Sequence, residues 1–420
     1  MTSSEETIAR RLEVIVEDRL ETVPVVVLHG ARTVGKSMLL RRIARQYDRG
    51  VADLDQPANR DVAAADPSFY VQGEGPVFID EYQHVPALLD AIKGELNLGA
   101  APGRFVITGS TRYTTIPRAA QSLTGRAEVL EVWPLSQGEL DGHNETFVER
   151  LIEDPVALLD RGESNTHRME YVDRVLRGGM PLPALMDTEA SRRRWFASYL
   201  DLVIERDVLD ISKIRQRDAM PRLLSRLATQ TGQVLNMARA SADAGLEASV
   251  GEQYAVLLES VFMMYRLPAW RGTHGARVGT RPKIHVVDTG VGAWLMGLRR
   301  KQIERRNSTA MQQFGHLLET FAVNEILKQL GWLDEPVDVG HYRTKDGEEV
   351  DLVLEVRGTG IVGVEVKSGE RYRPEDLRGL RSLRQRLGTE FIGGVLLHPG
   401  KHSVALEDRI IALPMDTLWA

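Results

Sequence analysis

The sequence predicts an α/β chain of several domains, and three observations predict it. An apolar run, Val23-Pro24-Val25-Val26-Val27-Leu28, leads through the glycine-bounded stretch GARTVGKS into the helix-compatible Met38-Leu39-Leu40-Arg41-Arg42-Ile43-Ala44. Further on, Pro76-Val77-Phe78-Ile79 ends in two acids, Asp80 and Glu81, within an alternating α/β pattern. Near the other end, strand-like alternation returns, carrying Asp351, Glu365 and Lys367 after a helix that carries Glu319. At 420 residues, with roughly 100–200 residues per domain, two to four domains are expected. The motifs and the changing pattern of elements divide the chain into 1–140, 141–215, 216–272 and 273–420.

Composition narrows the class. With 43 % hydrophobic and 27 % charged residues the chain has the make-up of an ordinary globular protein. No apolar run approaches the roughly 18 residues that span a bilayer, so no membrane partner is expected. The start, MTSSEETIARRLE, is acidic and then amphipathic, unlike a signal peptide, and Ser3 with Glu6 has the spacing of a helix capping box. Zero cysteines exclude disulfides, thiolate metal sites and cysteine nucleophiles. A cytoplasmic location is the expectation, although absence of cysteine fits either redox compartment. The net charge of −6 argues against a generally basic nucleic-acid coat but leaves room for a local basic face.

A first helix is expected over 6–20. The stretch after it meets the phosphate-loop pattern G-x-x-x-x-G-K-[ST] at every fixed position, between a buried strand and a helix. Its backbone N–H groups, from Gly30, Ala31, Arg32, Thr33, Val34, Gly35, Lys36, Ser37 and Met38, would cradle phosphate beside the positive end of the helix dipole. Lys36 would reach the β- and γ-phosphates of ATP, and the Ser37 hydroxyl would ligate Mg²⁺. A chance glycine turn is the alternative. Residues 51–55 read as a second strand. Asp80, closing the next, would hold Mg²⁺, and Glu81 would orient and deprotonate the attacking water. Residues 104–110 read as a buried strand ending in hydroxyls, where Thr108 or Ser110 could sense the γ-phosphate. Arg126, before the strand 128–132, is a candidate arginine acting on nucleotide in its own subunit or a neighbour's; a surface ion pair is the alternative.

GARTVGKS, VFIDE, FVITGS and LTGRAEVLEVWPLS, in that order, resemble prokaryotic AAA-type ATPases that carry a C-terminal domain of unknown function with a nuclease-like core. The resemblance covers nearly the whole chain and is weakest between about 142 and 168. It implies an additional strand between the phosphate-loop strand and VFIDE. Thr111 and Arg112 stand where the family usually has further serines. The resemblance also makes DNA and further copies of the chain candidate partners beside ATP.

Helices are expected over 149–160, 168–176 and 189–207, interrupted at Gly178-Gly179-Met180-Pro181. Arg192, Arg193 and Arg194 read as a solvated face or a phosphate contact, and Glu205, Arg206 and Asp207 as interdomain ion pairs. From Met220 to Trp270, a stripe of Leu223, Leu224, Leu227 and Ala228, a helix over 234–244 and a third over 248–265 make a helix-turn-helix pattern with a wing beginning at Leu267. The third helix offers Ser249, Glu252 and Gln253 to a groove and no base before Arg266, which is poor for holding phosphate.

In the last segment, strands are expected over 283–287, 350–356 and 361–367, with a helix over 314–330. Strand alternation puts Glu365 and Lys367 on one face and Val364 and Val366 on the other. Asp351 with Glu365-Val366-Lys367 is the spacing of the PD-(D/E)xK nuclease fold, which this half resembles, with Val350 where the name-giving proline would stand. The resemblance implies Mg²⁺ held by Asp351 and Glu365, with Glu319 as the helical acid and Lys367 positioning water or stabilising charge. Such cores also serve as binding modules. Arg371, Tyr372, Arg373, Arg378, Arg381, Arg384 and Arg386 form a basic cluster that suits nucleic acid or a charge-balanced helix face. His398 and His402 read as flanking a turn.

Overall fold

A computed structural model describes residues 8–112, 123, 125–208, 216–270, 272 and 281–420, with only the backbone of 206 and 207. Ser3, Glu6, Ser122, Thr124 and the side chains of Arg206 and Asp207 thus lie outside the described residues. Among the described residues no helix is long and apolar enough to cross a membrane.

The first layer is a five-stranded parallel sheet of β1 (Val25–His29), β2 (Val51–Asp53), β3 (Val77–Asp80), β4 (Phe105–Gly109) and β5 (Ala127–Glu131). Its order is β2-β3-β4-β1-β5, so β4 does lie between the phosphate-loop strand and the acid-ended strand. Every residue of β1 and β4 is buried, which is what continuous apolar runs achieve when both faces of a parallel sheet are covered. The helices Leu12–Thr22 and Lys36–Gln46 pack on one face, and Ala87–Asn97 on the other.

The middle of the chain departs from the expected boundaries. The helix expected over 149–160 stops at Glu153, because Pro155 cannot continue it, and a 3-10 turn follows. The third helix of the helix-turn-helix pattern ends at Ser260, not 265. Phe262 takes a left-handed φ of 60° and turns the chain into β7 (Met264–Leu267). The strand β6 (Gln233–Val234) takes the start of the expected second helix, which runs Met237–Asp243. β8 (Lys283–Val286) pairs antiparallel with both β6 and β7. The boundary at 272/273 is therefore displaced: β8 completes the sheet of the middle unit. Residues 141–215 are likewise not a separate body. Phe147, Leu151, Tyr171 and Val175 pack with Phe314, Phe321 and Leu352, whereas Phe196 and Tyr199 pack with Leu223 and Leu224.

The C-terminal sheet has the order β13-β14-β12-β11-β10-β9, built from β9 (Val337–Arg343), β10 (Glu349–Val356), β11 (Gly360–Val366), β12 (Phe391–His398), β13 (Val404–Glu407) and β14 (Ile410–Pro414). β9, β10 and β11 are antiparallel neighbours, and β11, β12 and β14 are parallel. Leu352, Leu354, Val362 and Val364 face the long helix Ser308–Leu330. Val353 and Ile361 face Leu380 and Leu383 of the helix Arg378–Leu387. The Asp351 end of β10 lies beside the middle of the long helix, where Glu319 stands.

Candidate nucleotide site and C-terminal acid cluster

The phosphate loop is held by close approach as much as by its own turns. A Cβ at Gly30 would stand 2.3 Å from the Val132 carbonyl oxygen, so only glycine lets β1 pass β5 there. Gly35 at φ 104° and Thr33 at 61° supply the left-handed turns. Lys36, 3 % exposed, donates from Nζ to the Gly30 and Ala31 carbonyls at 3.1 and 3.0 Å, and Nζ lies 4.0 Å from Glu81.

Asp80 and Glu81 end β3 in burial. Thr108, on the adjacent β4, donates to Asp80 Oδ1, and its hydroxyl accepts the Glu81 N–H at 3.1 Å. Burial raises the Asp80 carboxyl above its ordinary range, and hydrogen bonds from Thr108 and Ser37 pull it back. The Ser37 hydroxyl and Asp80 carboxylate are hard oxygen donors meeting beside the loop, a set that fits Mg²⁺. Glu81 has φ 56° and ψ 50°. A non-glycine residue held there is strained, a feature that clusters at functional sites.

Several residues at this site carry no motif signal. Gln83 donates from Nε2 to the Glu81 carboxylate and, at 3.0 Å, to Ser110 Oγ, tying the two sequence-predicted residues together. Arg10 donates to the Val34 carbonyl of the loop at 2.9 Å, to the Trp133 carbonyl at 2.6 Å and to Glu139 at 3.1 Å. Arg112, two residues beyond Ser110, reaches the middle unit. Its backbone N–H donates to Ser260 O and its Nε to Glu259 O, both at 2.9 Å, and its guanidinium lies 4.8 Å above the Phe262 ring.

Arg126 is not brought to this site. It precedes β5 where Ala127 pairs with Val25, at the opposite end of β1 from the loop, and donates to Asn97 Oδ1 at 2.7 Å. Five strand residues at about 3.3 Å each separate the two ends, roughly 16 Å. An action on its own subunit's nucleotide is thereby corrected; an action on a neighbour's and a surface role are both compatible with the register, and its partner here is the Asn97 amide.

At the C-terminal end, Lys283 decides the arrangement. Its ammonium, fully buried, lies 2.7 Å from Glu319 Oε1, 2.6 Å from Glu349 Oε1 and 2.8 Å from Asp351 Oδ1. Burial opposes its charge, but Asp351, Glu319 and Glu349 outweigh burial and hold it well above the ordinary lysine value. The other Asp351 oxygen accepts the Val366 N–H at 2.9 Å. Burial pushes Asp351 up, but Lys283, the Val366 N–H and Lys367 outweigh it and hold the carboxyl below its usual range, whereas burial and Asp351 push Glu319 well up. Lys367 Nζ pairs with Glu365 at 2.8 Å and approaches Asp376 at 3.7 Å. Burial raises Glu365 to about 8. A pocket of about 500 Å³ opens here, lined by Glu319, Asp351, Glu365 and Lys367 with Arg343 and Arg378. Lys283 already bridges the expected ligands Glu319 and Asp351, and among the described residues no group of three or more His, Asp or Glu is arranged to hold a metal ion. The cluster as it stands does not fit Mg²⁺.

Two of the six arginines of the basic cluster are paired within the fold, whereas Arg371, Arg373 and Arg378 are exposed. Arg381 and Arg384 both bind Glu407 of β13, at 2.5 and 2.9 Å. Gly400 N–H donates to His398 Nδ1 at 3.0 Å, in keeping with a turn at that site.

Sheet order, loop and acid-ended strand together define a phosphate-loop domain of the AAA type. Residues 22–141 match the family described as "AAA domain". Residues 168–302 and 314–418 match two domains of unknown function, DUF8612 and DUF4143. The first of these includes β8, as the sheet of the middle unit does. The chain is similar to the uncharacterized proteins Rv2008c of Mycobacterium tuberculosis and Mb2031c of Mycobacterium bovis, each 26 % identical over 95 % of this chain and 82 % of theirs. Among solved structures it is similar to a Walker-type ATPase of Pyrococcus abyssi, at 14 % identity and TM-score 0.40 over 70 % of this chain and 97 % of that one. RuvB of Thermotoga maritima, a Holliday junction branch migration motor, is 18 % identical with TM-score 0.29 over 64 % and 93 % of the two chains.

Proposed function

We propose that the chain binds and hydrolyses ATP with Mg²⁺ and uses its nucleotide state to control the C-terminal part. The observation that carries this reading is the meeting of Lys36, Asp80, Glu81 and Thr108 at the ends of three adjacent strands. The N–H groups of residues 30–38 take the phosphates, Lys36 neutralises the β- and γ-phosphates, and Ser37 and Asp80 would hold Mg²⁺, which when bound balances phosphate charge. Glu81 orients a water and takes its proton, while Gln83 and Thr108 keep Glu81 in place and Ser110 stands at the γ-phosphate end. Arg126 acts on the nucleotide of a neighbouring copy. Lys36→Ala and Glu81→Gln are each expected to lower ATP turnover at least about a hundredfold. Unchanged turnover in both sinks the reading.

The middle unit reads as a winged helix, supported by three helices with the strands β6, β7 and β8 in the order helix, strand, helix, helix, strand, strand. The C-terminal unit reads as a PD-(D/E)xK-like core, supported by the joint presence of Glu319, Asp351, Glu365 and Lys367 at one pocket. Two uses of that core compete: Mg²⁺-dependent cleavage of DNA, with Asp351, Glu365 and Lys367 catalytic, or nucleotide-controlled binding of DNA or protein without cutting. The ammonium of Lys283 among the acids favours binding. Cleavage of any duplex or single strand that Asp351→Ala abolishes would reverse that preference.

A further inference from the structure

Lys283 belongs to β8 of the middle unit, whereas the acids around it belong to the helix Ser308–Leu330 and to β10. An ammonium has three N–H donors and no acceptor. Here three carboxylate oxygens lie within 2.8 Å of it, one each from Glu319, Glu349 and Asp351. Two of the three oxygens left over are engaged too. The second Asp351 oxygen accepts the Val366 N–H at 2.9 Å, and the second Glu349 oxygen lies 3.4 Å from Arg343. A divalent ion needs carboxylate oxygens at roughly 2.0–2.6 Å, and placing it on these acids would set it within a few ångströms of a buried positive charge. Glu365, the remaining acid of the sequence-predicted set, is turned to Lys367 instead.

We infer that Lys283 is a built-in counter-cation, donated by the middle unit, that takes the position a divalent metal would hold among Glu319, Glu349 and Asp351. The centre is consequently closed to metal, and the joint between the middle and C-terminal units is secured by an internal charge cluster. This deepens the binding reading of the C-terminal core and rests on it for the absence of cleavage; the charge substitution itself stands on geometry alone.

The test is Mn²⁺ binding to the nucleotide-free full chain, followed by paramagnetic resonance of free Mn²⁺, with thermal unfolding alongside. The part of the binding that Asp351→Asn removes reports this cluster and leaves out the phosphate loop. The wild-type chain is expected to have no such part, and its midpoint to be indifferent to Mn²⁺ there. Lys283→Met, which keeps the volume and removes the charge, is expected to gain an Asp351-dependent site at least about tenfold tighter, because a like charge at contact distance is gone. Its lowered unfolding midpoint is expected to rise with Mn²⁺. Asp351-dependent Mn²⁺ binding by the wild-type chain overturns the inference, as does a folded Lys283→Met that gains none. Should that variant not fold, the wild-type and Asp351→Asn titrations still decide. ATP turnover on the same preparations reads the N-terminal site independently, so a failure there leaves this result intact.

Discussion

Glu81 shows how much of a site is made by neighbours that carry no motif. Its left-handed backbone turns it from β3 toward Lys36, and Gln83 and Thr108 hold it there. Gln83→Ala is expected to lower the ATP turnover number roughly tenfold with little change in KM, a smaller loss than the roughly 10²–10⁴ of removing a general base. Steady-state kinetics check it. Buried titratable groups also set the pH range of stability. His29 and His285 are lowered to about 3, first by burial and then by nearby lysines. Between that value and about 6.5 the unfolded chain binds more protons, so their contribution is full above about 6.5 and is lost as pH falls. Glu365, raised to about 8, works in the other direction: its contribution is full below the ordinary carboxylate value and is lost as pH rises toward 8. Urea unfolding is therefore expected to show greatest stability in between. Glu365→Gln should flatten the alkaline side, and retention of the full slope in that variant would refute the assignment.

At the scale of elements, Arg112 links β4, which carries the proposed sensors Thr108 and Ser110, to the end of the helix Ala248–Ser260. Arg112→Ala removes a charged hydrogen bond and the stacking on Phe262, together roughly 2 kcal/mol at a half-buried site. Amide exchange over 248–262 is expected to quicken in this variant and to lose any dependence on added nucleotide; an unaltered exchange pattern would show that the contact transmits nothing. The same pair of elements explains why the third helix of the middle unit is shorter than its apolar spacing predicts. Its last turn is held by Arg112 and then broken at Phe262, and neither contact is written in local periodicity.

For the whole molecule, a few buried polar residues join units that the sequence divides. Asp288, 5 % exposed, accepts N–H bonds from Gly179, Met180 and Val291 at 2.7, 3.2 and 2.9 Å. The Cβ of any other residue at Gly178 would meet its carboxylate at 2.4 Å, which accounts for the Gly178-Gly179-Met180 and Asp288-Thr289-Gly290 stretches as the two halves of one joint. Glu325 accepts the Gln137 N–H at 2.8 Å, and Lys328 donates to Leu135 O at 3.0 Å, which docks the end of the first domain onto the long helix. Asp288→Ala is expected to cost roughly 3 kcal/mol, since several buried N–H groups lose a charged acceptor at once. A denaturant midpoint within error of wild type would contradict this.

What the sequence alone determined is the phosphate loop, the acid-ended strand and the strand positions of the first sheet. Each is set by local chemistry: glycine conformations, continuous apolar runs, and polar residues at strand ends. Glu319, Asp351, Glu365 and Lys367 were legible for the same reason, as fixed spacings on one helix and two strands. Tertiary structure decided what those residues face. The strand register puts Arg126 at the far end of the sheet from its own loop. Sheet pairing moves β8 into the middle unit and thereby delivers Lys283 to Glu319, Glu349 and Asp351 across some thirty to seventy residues of chain. A lone lysine at a strand start has no pattern to announce it, because its partners are set by how sheets dock and not by its sequence neighbours.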